Sequence, residues 1–337
     1  MDATSERGGG SDGLCGVVAI GASAGGVEAL SRLAAGLSAD LPYAYLIVLH
    51  VPPGAPSVLA RIVNRSGPLP AVAAEDGAAL KPGHIYVSVP DRHVLVADHR
   101  VMLSQGPTEN GHRPAINALF RSVAVAFGRR AVGVLLSGVL DDGVLGLAAI
   151  RSRGGTTIGQ SPEDAVFAAL PTNARDAGVL DRQVGAAEVG AVLKELAQKE
   201  IEDRTMEPDA ALDLENRIAM TSRFSTDFDT RQLGAPSGYT CPDCNGSLIS
   251  ISEGHFRCHV GHPWTADALL AARDEEVEGA LRSLQEEAEL ARQLVEKAGP
   301  GLLSRHYSRL AEESERALGV LSGRLAAHSP RRGDAGG

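Results

Sequence analysis

The stretch that most constrains this chain is Val17-Val18-Ala19-Ile20-Gly21-Ala22-Ser23-Ala24-Gly25-Gly26-Val27-Glu28-Ala29-Leu30. Its first four residues are apolar and rich in β-branched types, the pattern of a strand buried on both faces. From Val27 the period changes: Val27, Leu30, Leu33, Ala34 and Leu37 fall on one face of a helix. The turn between them, Gly21-Ala22-Ser23-Ala24-Gly25, fits G-x-S-x-G, the nucleophile elbow of a strand-to-helix turn. Such a turn lifts a serine oxygen above the sheet edge, beside the free N–H groups of the helix start. A tight βα turn with Ser23 as a simple N-cap fits the same residues. Phosphate-binding glycine loops do not, because neither G-x-G-x-x-G nor G-x-x-x-x-G-K-[ST] is satisfied.

Strand and helix patterns then alternate, which is the signature of a parallel α/β sheet. Tyr43 to His50 reads as a second buried strand ending in a histidine, followed by Val51-Pro52-Pro53-Gly54 and a short helix over 55–64. Ala131 to Ser137 is a third, running into Gly138-Val139-Leu140-Asp141-Asp142-Gly143. Ligands bind beyond the carboxyl ends of strands in such sheets, and Ser23 and His50 both lie at such ends. The adjacent acids Asp141 and Asp142 suit a metal, the orientation of a histidine, or a helix N-terminus, and spacing does not choose among these. Between Pro70 and Leu103 four short strand patterns sit close together, so an antiparallel portion is expected beside the parallel one. His84, His93 and His99 fall there and read as strand or surface histidines.

A formal net charge of -10 over 337 residues leaves no basic stripe for nucleic acid. No run of about 20 apolar residues is present, so the chain does not read as an integral membrane protein. Met1 to Gly13 lacks the basic and apolar regions of a signal peptide. A cytoplasmic protein with a disordered tail over 1–14 is the expectation.

The cysteines point elsewhere. Cys241-Pro242-Asp243-Cys244 and Cys258-His259-Val260-Gly261-His262 give two knuckles of metal-ligand spacing. Cys241, Cys244, Cys258 and His262 would make a closed, structural Cys3His zinc set with no open position for chemistry. His259 is the alternative fourth ligand, and reduced cysteines in a surface loop are the plainer reading. Leu248–Ile251 and His255–Arg257 supply a hairpin between the knuckles, and Cys15 reads as a buried apolar residue. Residues 198–238 form an acidic linker with at most one helix, near Ala211 to Met220. After a Thr265 cap, Val277, Leu281, Leu284, Ala288, Ala291 and Val295 alternate steps of four and three. Past Gly299-Pro300-Gly301, Leu303, Tyr307, Leu310, Ala317, Leu321 and Leu325 continue on a second helix. This is a helical hairpin or a dimerising coiled coil, suited to self-association or docking.

Four segments in order now carry a resemblance: Gly21-Ala22-Ser23-Ala24-Gly25-Gly26, Leu49-His50-Val51-Pro52-Pro53-Gly54, Lys81-Pro82-Gly83-His84-Ile85-Tyr86 and Ser137 to Gly143. From about Val17 to Leu193 the chain resembles the catalytic domain of the chemotaxis protein-glutamate methylesterases (CheB). The resemblance implies a Ser23, His50, Asp142 triad that hydrolyses glutamate methyl esters on methyl-accepting chemoreceptors through an acyl-enzyme, and that deamidates glutamine. Catalysis would need no cofactor, the zinc being structural. Ala24 N–H is one oxyanion donor, and the family suggests the backbone of Val139 as the second. The order Ser, His, Asp differs from the Ser, Asp, His of α/β-hydrolases.

The sequence departs from the family pattern in three ways. The family's usual Thr-Gly-Met-Gly is here Ser137-Gly138-Val139-Leu140, and Ala115 and Asn117 stand where Ser and Asp are common. Leu140 in place of glycine would narrow the site or shift its loop; a catalytically weak scaffold in a signalling complex is the alternative on that ground. The typical N-terminal receiver domain has no counterpart in this sequence, whose tail resembles that of stand-alone members. The expected architecture is α/β: a doubly wound, mostly parallel sheet with an antiparallel hairpin, a small zinc-ribbon-like module and a C-terminal helical hairpin. The expected parts are a catalytic domain over 15–197, a linker over 198–238, the module over 239–264, helices over 265–328 and a tail over 329–337.

Overall fold

The computed structural model describes residues 13–56, 58–200, 207–221 and 234–328. The expected tail over 329–337, the expected N-terminal tail except Gly13 and Leu14, and part of the expected linker therefore lie outside the described residues; Leu14, placed in that tail by the sequence reading, packs against the core. The chain divides into two units, one reaching to Ala268 and one from Leu269 onward.

The first unit begins with β1 (Gly16–Ala22), α1 (Gly26–Gly36), β2 (Tyr43–Leu49), α2 (Leu59–Ser66), β3 (Ala71–Ala73) and β4 (Ile85–Val87). A separate antiparallel hairpin follows, β5 (His93–Ala97) and β6 (Arg100–Ser104), and then α3 (Ile116–Phe127). The sheet resumes with β7 (Ala131–Leu135), α4 (Val144–Ser152), β8 (Thr156–Gln160), α5 (Ala169–Asp176), β9 (Arg182–Val184) and α6 (Val189–Ala197). Seven strands pair in the order β3-β4-β2-β1-β7-β8-β9, every pairing parallel. The short strands at 71–73 and 85–87 thus join the parallel sheet, and between 70 and 104 the antiparallel ladder is that of β5 with β6.

Alternation along the strands sorts the core into two layers. Val18 and Ile20 of β1, Tyr45 and Ile47 of β2 and Val134 of β7 face α1, α2 and α6, meeting Leu30, Leu33, Val63 and Leu193. Val17, Ala19, Leu46 and Leu135 face α3, α4 and α5, meeting Ile116, Leu119, Phe120, Leu147 and Leu170. Helices on both faces explain why the strands read as unbroken apolar runs. Chain order runs outward from β1 to β2 and then returns across it to β7. The gap between the carboxyl ends of β1 and β7 is therefore the topological switch point, where such sheets bind ligands.

Helix boundaries differ from the sequence reading at two places. Helix α2 starts at Leu59 rather than Ala55, because Pro52, Pro53 and Pro56 interrupt the preceding residues. The apolar pattern from Val184 to Leu196 reads as one helix, but α6 starts only at Val189, because Val184 closes β9 and residues 186–188 make a 3-10 turn. Cys15 is half-buried rather than buried: it precedes β1, and its N–H donates to Pro42 O at 2.8 Å.

The unit continues with α7 (Ala210–Met220), capped by the Asp209 carboxylate, and a four-stranded antiparallel sheet of β10 (Ala235–Thr240), β11 (Ser247–Ser252), β12 (His255–Cys258) and β13 (Pro263–Thr265). Arg257 of β12, almost fully buried, pairs with Glu215 of α7 and donates to Gly261 O. Helix α8 (Ala266–Ala298) starts at Thr265, whose hydroxyl accepts from Ala268 N–H at 3.2 Å. In the second unit α8 and α9 (Leu302–His328) run antiparallel, with Arg292 pairing with Glu315 and Ser314 donating to Glu287. Ala288, Ala291, Ala311 and Ser314 are its buried seam. No helix among the described residues is long and apolar enough to cross a membrane.

Candidate active site and metal cluster

Ser23 follows β1 at the switch point. Its two flanking glycines have separate reasons. A Cβ on Gly21 would lie 2.2 Å from Ile116 Cγ2, so the glycine admits the first turn of α3 against β1. Gly25 takes φ 70°, the left-handed region, as it turns the chain into α1. The loop after β7 passes just as close, since a Cβ on Gly138 would stand 3.0 Å from the Ser23 Cβ. Ser23 N–H donates to Ser137 O at 2.9 Å. The Ser137 hydroxyl donates to Ala24 O at 2.8 Å and accepts from Phe167 N–H at 2.9 Å. Ser137 N–H in turn donates to Gln160 Oε1 at 2.8 Å. One short hydroxyl thus ties together the turn after β1, the loop after β7 and the segment ahead of α5.

His50, the residue after β2, places Nδ1 3.2 Å from Ser23 Oγ and Nε2 2.7 Å from Asp142 Oδ2. The Asp142 carboxylate is buried at the N-terminus of α3, accepting from Ile116 N–H at 2.7 Å and Asn117 N–H at 3.0 Å. Burial alone would raise its pKa, but the hydrogen bond and charge of His50, with the Ile116 N–H, hold it below the usual carboxylate range. Nε2–H therefore faces a carboxylate, and Nδ1 is left with its lone pair toward the serine. The neighbouring Asp141 carboxyl behaves oppositely: burial pushes it up to about 6 against the hydrogen bond it accepts from Thr265.

Val139 follows Gly138 on the loop beside Ser23, and its side chain is exposed. Among the described residues, neither its N–H nor that of Ala24 has a hydrogen-bond partner. Leu140, where the resemblance led us to expect a glycine, takes φ 60°. Asn117 keeps the acceptor that an aspartate would supply, its Oδ1 taking the N–H groups of Gly143 and Gly146 at 3.0 and 2.7 Å.

One residue of the site has no place in the sequence reading. The His112 ring stacks on His50, with centroids 3.9 Å apart and planes 23° from parallel. Burial, then the His50 charge, lowers its pKa to about 4. Its only signal in the sequence is its position immediately before Arg113-Pro114, which lead into the helix that caps Asp142. His93, by contrast, is a satisfied core histidine: Ala115 N–H donates to Nδ1 at 3.2 Å and Nε2 donates to Pro107 O at 2.9 Å.

The second cluster gathers Cys241, Cys244, Cys258 and His262, whose donor atoms all lie within 4.8 Å of one another. Cys244 Sγ is 3.6 Å from Cys258 Sγ, and His262 Nδ1 is 3.7 Å from Cys241 Sγ and 3.3 Å from Cys258 Sγ. Ligands at ordinary zinc distances on a tetrahedron stand about 3.8 Å apart for two sulfurs and about 3.6 Å for sulfur and nitrogen. The sulfurs are too far apart for a disulfide, and all four cysteines are free. His259 is exposed and is not part of this group.

The family model described as CheB methylesterase matches residues 18–193. A protein-glutamate methylesterase/protein-glutamine glutaminase of Anaeromyxobacter dehalogenans is 43% identical over 167 residues, 49% of this chain and 49% of that protein. The protein of the same description from Escherichia coli K12 is 38% identical over 166 residues, 48% of this chain and 47% of its own. The chain thus spans about half the length of these curated relatives. The crystal structure of the Thermotoga maritima CheB methylesterase catalytic domain is similar with a TM-score of 0.52 and 29% identity, over 54% of this chain and 98% of that one. With a family match across more than half its length, the chain belongs to the CheB methylesterase family.

Proposed function

We propose that this chain is a serine esterase that hydrolyses glutamate methyl esters on methyl-accepting chemoreceptors. The observation that carries the reading is the line Ser23 Oγ, His50 Nδ1, His50 Nε2, Asp142 Oδ2 at the sheet's switch point. His50 takes the Ser23 proton at Nδ1 as the oxygen attacks the ester carbonyl, and buried Asp142 holds the tautomer and stabilises the imidazolium. Ala24 and Val139 N–H receive the oxyanion. The imidazolium then returns its proton to the departing methoxide, methanol leaves, and His50 activates water against the acyl-serine to give a glutamate. A primary amide fits the same steps with ammonia as leaving group, in keeping with the double name of the relatives.

In this reading residues 15–197 are the catalytic part, 239–264 a zinc module joined to it by a linker over 198–238, and helices 265–328 a surface for self-association or receptor docking. The four donors fit zinc in number, type and spacing, and with four protein ligands the metal is structural. Unbridged cysteines in this pattern suit a reducing compartment, the cytoplasm.

The test is methanol release from methyl-labelled receptor membranes by the purified chain and by Ser23→Ala. Release by the wild type alone supports both substrate and nucleophile. Release by neither, with Ser23 still labelled by a fluorophosphonate, sinks the receptor substrate and keeps the esterase. Absence of both overturns the catalytic reading.

A further inference from the structure

His112 sits in a tight turn, 109–112, closed by Glu109 N–H to His112 O at 3.0 Å and His112 N–H to Glu109 O at 2.8 Å. Asn110 and Gly111 both take positive φ there, 49° and 76°. The His112 ring makes no hydrogen bond to another described residue, so its specific contact is the face of His50. That face matters because His50 must aim two nitrogens at once. A rotation of the ring about its bond to Cβ would carry Nδ1 away from Ser23 and Nε2 away from Asp142 together.

The turn is fastened on two sides. From the α/β side, His93 bonds Pro107 O and Ala115 N–H, and Arg113 donates to Gly106 O at 2.8 Å. Glu109 pairs with the buried Arg121 of α3. From the other side come the two metal knuckles. Thr108 donates to Asp243 Oδ2 at 2.6 Å, and Asp243 lies between Cys241 and Cys244. Asn110 N–H donates to Pro263 O at 3.0 Å, one residue past His262, and Thr265 N–H donates to Asn110 Oδ1 at 2.9 Å. Thr265 Oγ1 reaches Asp141, the residue before Asp142, at 3.1 Å. The module is therefore bonded to the carrier of the ring that stacks on the base and to the neighbour of the acid.

We propose that His112 is a positioning residue for His50 and that the Cys241–Cys244–Cys258–His262 module holds its turn in place, so that metal loading is coupled to the reactivity of Ser23. The proposal rests on the catalytic reading above. Two knuckles fixed by one ion present Asp243 and Pro263 at a set separation, and the turn spans them. Without the ion the knuckles separate, the turn loses its fixed ends and the imidazole plane is released. Small displacements of a general base are costly, about a hundredfold in rate for one about 1 Å out of place.

The experiment follows the rate of fluorophosphonate labelling of Ser23 in the full chain by mass spectrometry, beside bound zinc and circular dichroism. His112→Ala is expected to label about tenfold more slowly, and His112→Phe, which keeps a flat ring without titratable nitrogens, at close to the wild-type rate. Asn110→Gly keeps the left-handed backbone, removes the bond to Thr265, and is expected to slow labelling with its zinc unchanged. Chelation, with released zinc counted, should slow the wild type and leave His112→Ala no slower than before. Equal rates in wild type and His112→Ala, or a Phe variant as slow as Ala with native dichroism, overturn the positioning role. An equal loss on chelation in both backgrounds, or a chain that takes up no zinc, overturns the coupling. If His112→Ala does not fold, the Phe and Asn110→Gly rates decide. A wild type that labels no faster than Ser23→Ala removes the catalytic reading, and this proposal with it.

Discussion

The carbonyl of Leu140 accepts a hydrogen bond from Asn173 Nδ2 at 2.7 Å, which holds Leu140 at φ 60° two residues ahead of Asp142. A left-handed leucine costs roughly 1–2 kcal/mol, and glycine there would lose about 0.5–1 kcal/mol through the entropy of the unfolded chain. Leu140→Gly is therefore expected to stabilise by up to about 1 kcal/mol and to raise the melting temperature by about 2–4 °C. The backbone already follows the path that a glycine would take, so the esterase rate should stay within about threefold. A large gain in rate would instead show that this leucine obstructs the site. Thermal melts and ester hydrolysis on the same preparation decide it.

Asp142 accepts two backbone N–H groups from α3 as well as the His50 proton, so its replacement acts on structure and chemistry together. Asp142→Asn keeps the volume but puts an amide where only acceptors fit, and it removes the charge that fixes the His50 tautomer. A fall in kcat of about 10³- to 10⁴-fold is expected, the size of effect that loss of a triad carboxylate produces. An orphaned N–H adds about 1–3 kcal/mol of destabilisation. A variant that keeps more than a tenth of the activity would remove Asp142 from the mechanism.

Sequence reading reached the switch point because its residues are local. Gly21 to Gly25 is a contiguous motif, His50 ends an apolar run, and strand ends collect at one edge of a parallel sheet. The short strands at 71–73 and 85–87 were harder, because three residues carry too little period to reveal a parallel partner. His112 was beyond reach for another reason: its role depends on a ring face opposed by a residue from a different strand end. The link from Thr108 and Asn110 to the Cys241–Cys244 and Cys258–His262 knuckles joins segments more than a hundred residues apart, and each reads alone as an ordinary polar loop residue. Within Cys258 to His262 the spacing left two histidines open, and the fold places His262 rather than His259 with the three sulfurs.

Stability should respond to acid through two groups of opposite sign. His112 has a folded pKa of about 4 against 6.5 for the free side chain, so the native state resists its protonation. Its contribution is present above pH 6.5 and is lost as the pH falls toward 4. Asp141 is raised from 3.8 to about 6, so its contribution is present below 3.8 and is lost as the pH rises through 6. His112→Phe removes only the first. Between pH 7 and 4.5 the variant should gain urea resistance relative to wild type, while Asp141→Asn should lose it. Parallel pH profiles for all three proteins would show that neither group is perturbed as the geometry implies.

Metal removal should reach beyond the module. The sheet of β10 to β13 is small, and its buried apolar residues are Leu248, Ile249, Cys258 and Trp264, with Cys241 just past β10, too little apolar surface to hold four strands alone. A bound ion would supply what that core lacks, because binding to a site that exists only in the folded state is itself folding free energy. One zinc per chain is expected by atomic emission, and none in Cys258→Ser. Chelation should lower the melting temperature by on the order of 10 °C, a few kcal/mol of linked binding. Arg257 makes the loss spread. Its buried guanidinium is matched by Glu215 and Gly261 O, and an opened second knuckle withdraws the carbonyl while the charge stays buried. Hydrogen exchange should therefore rise in α7 as well as in the knuckles once the metal is gone. Protection lost only between Cys241 and His262 would show that the module opens without disturbing the rest of its unit.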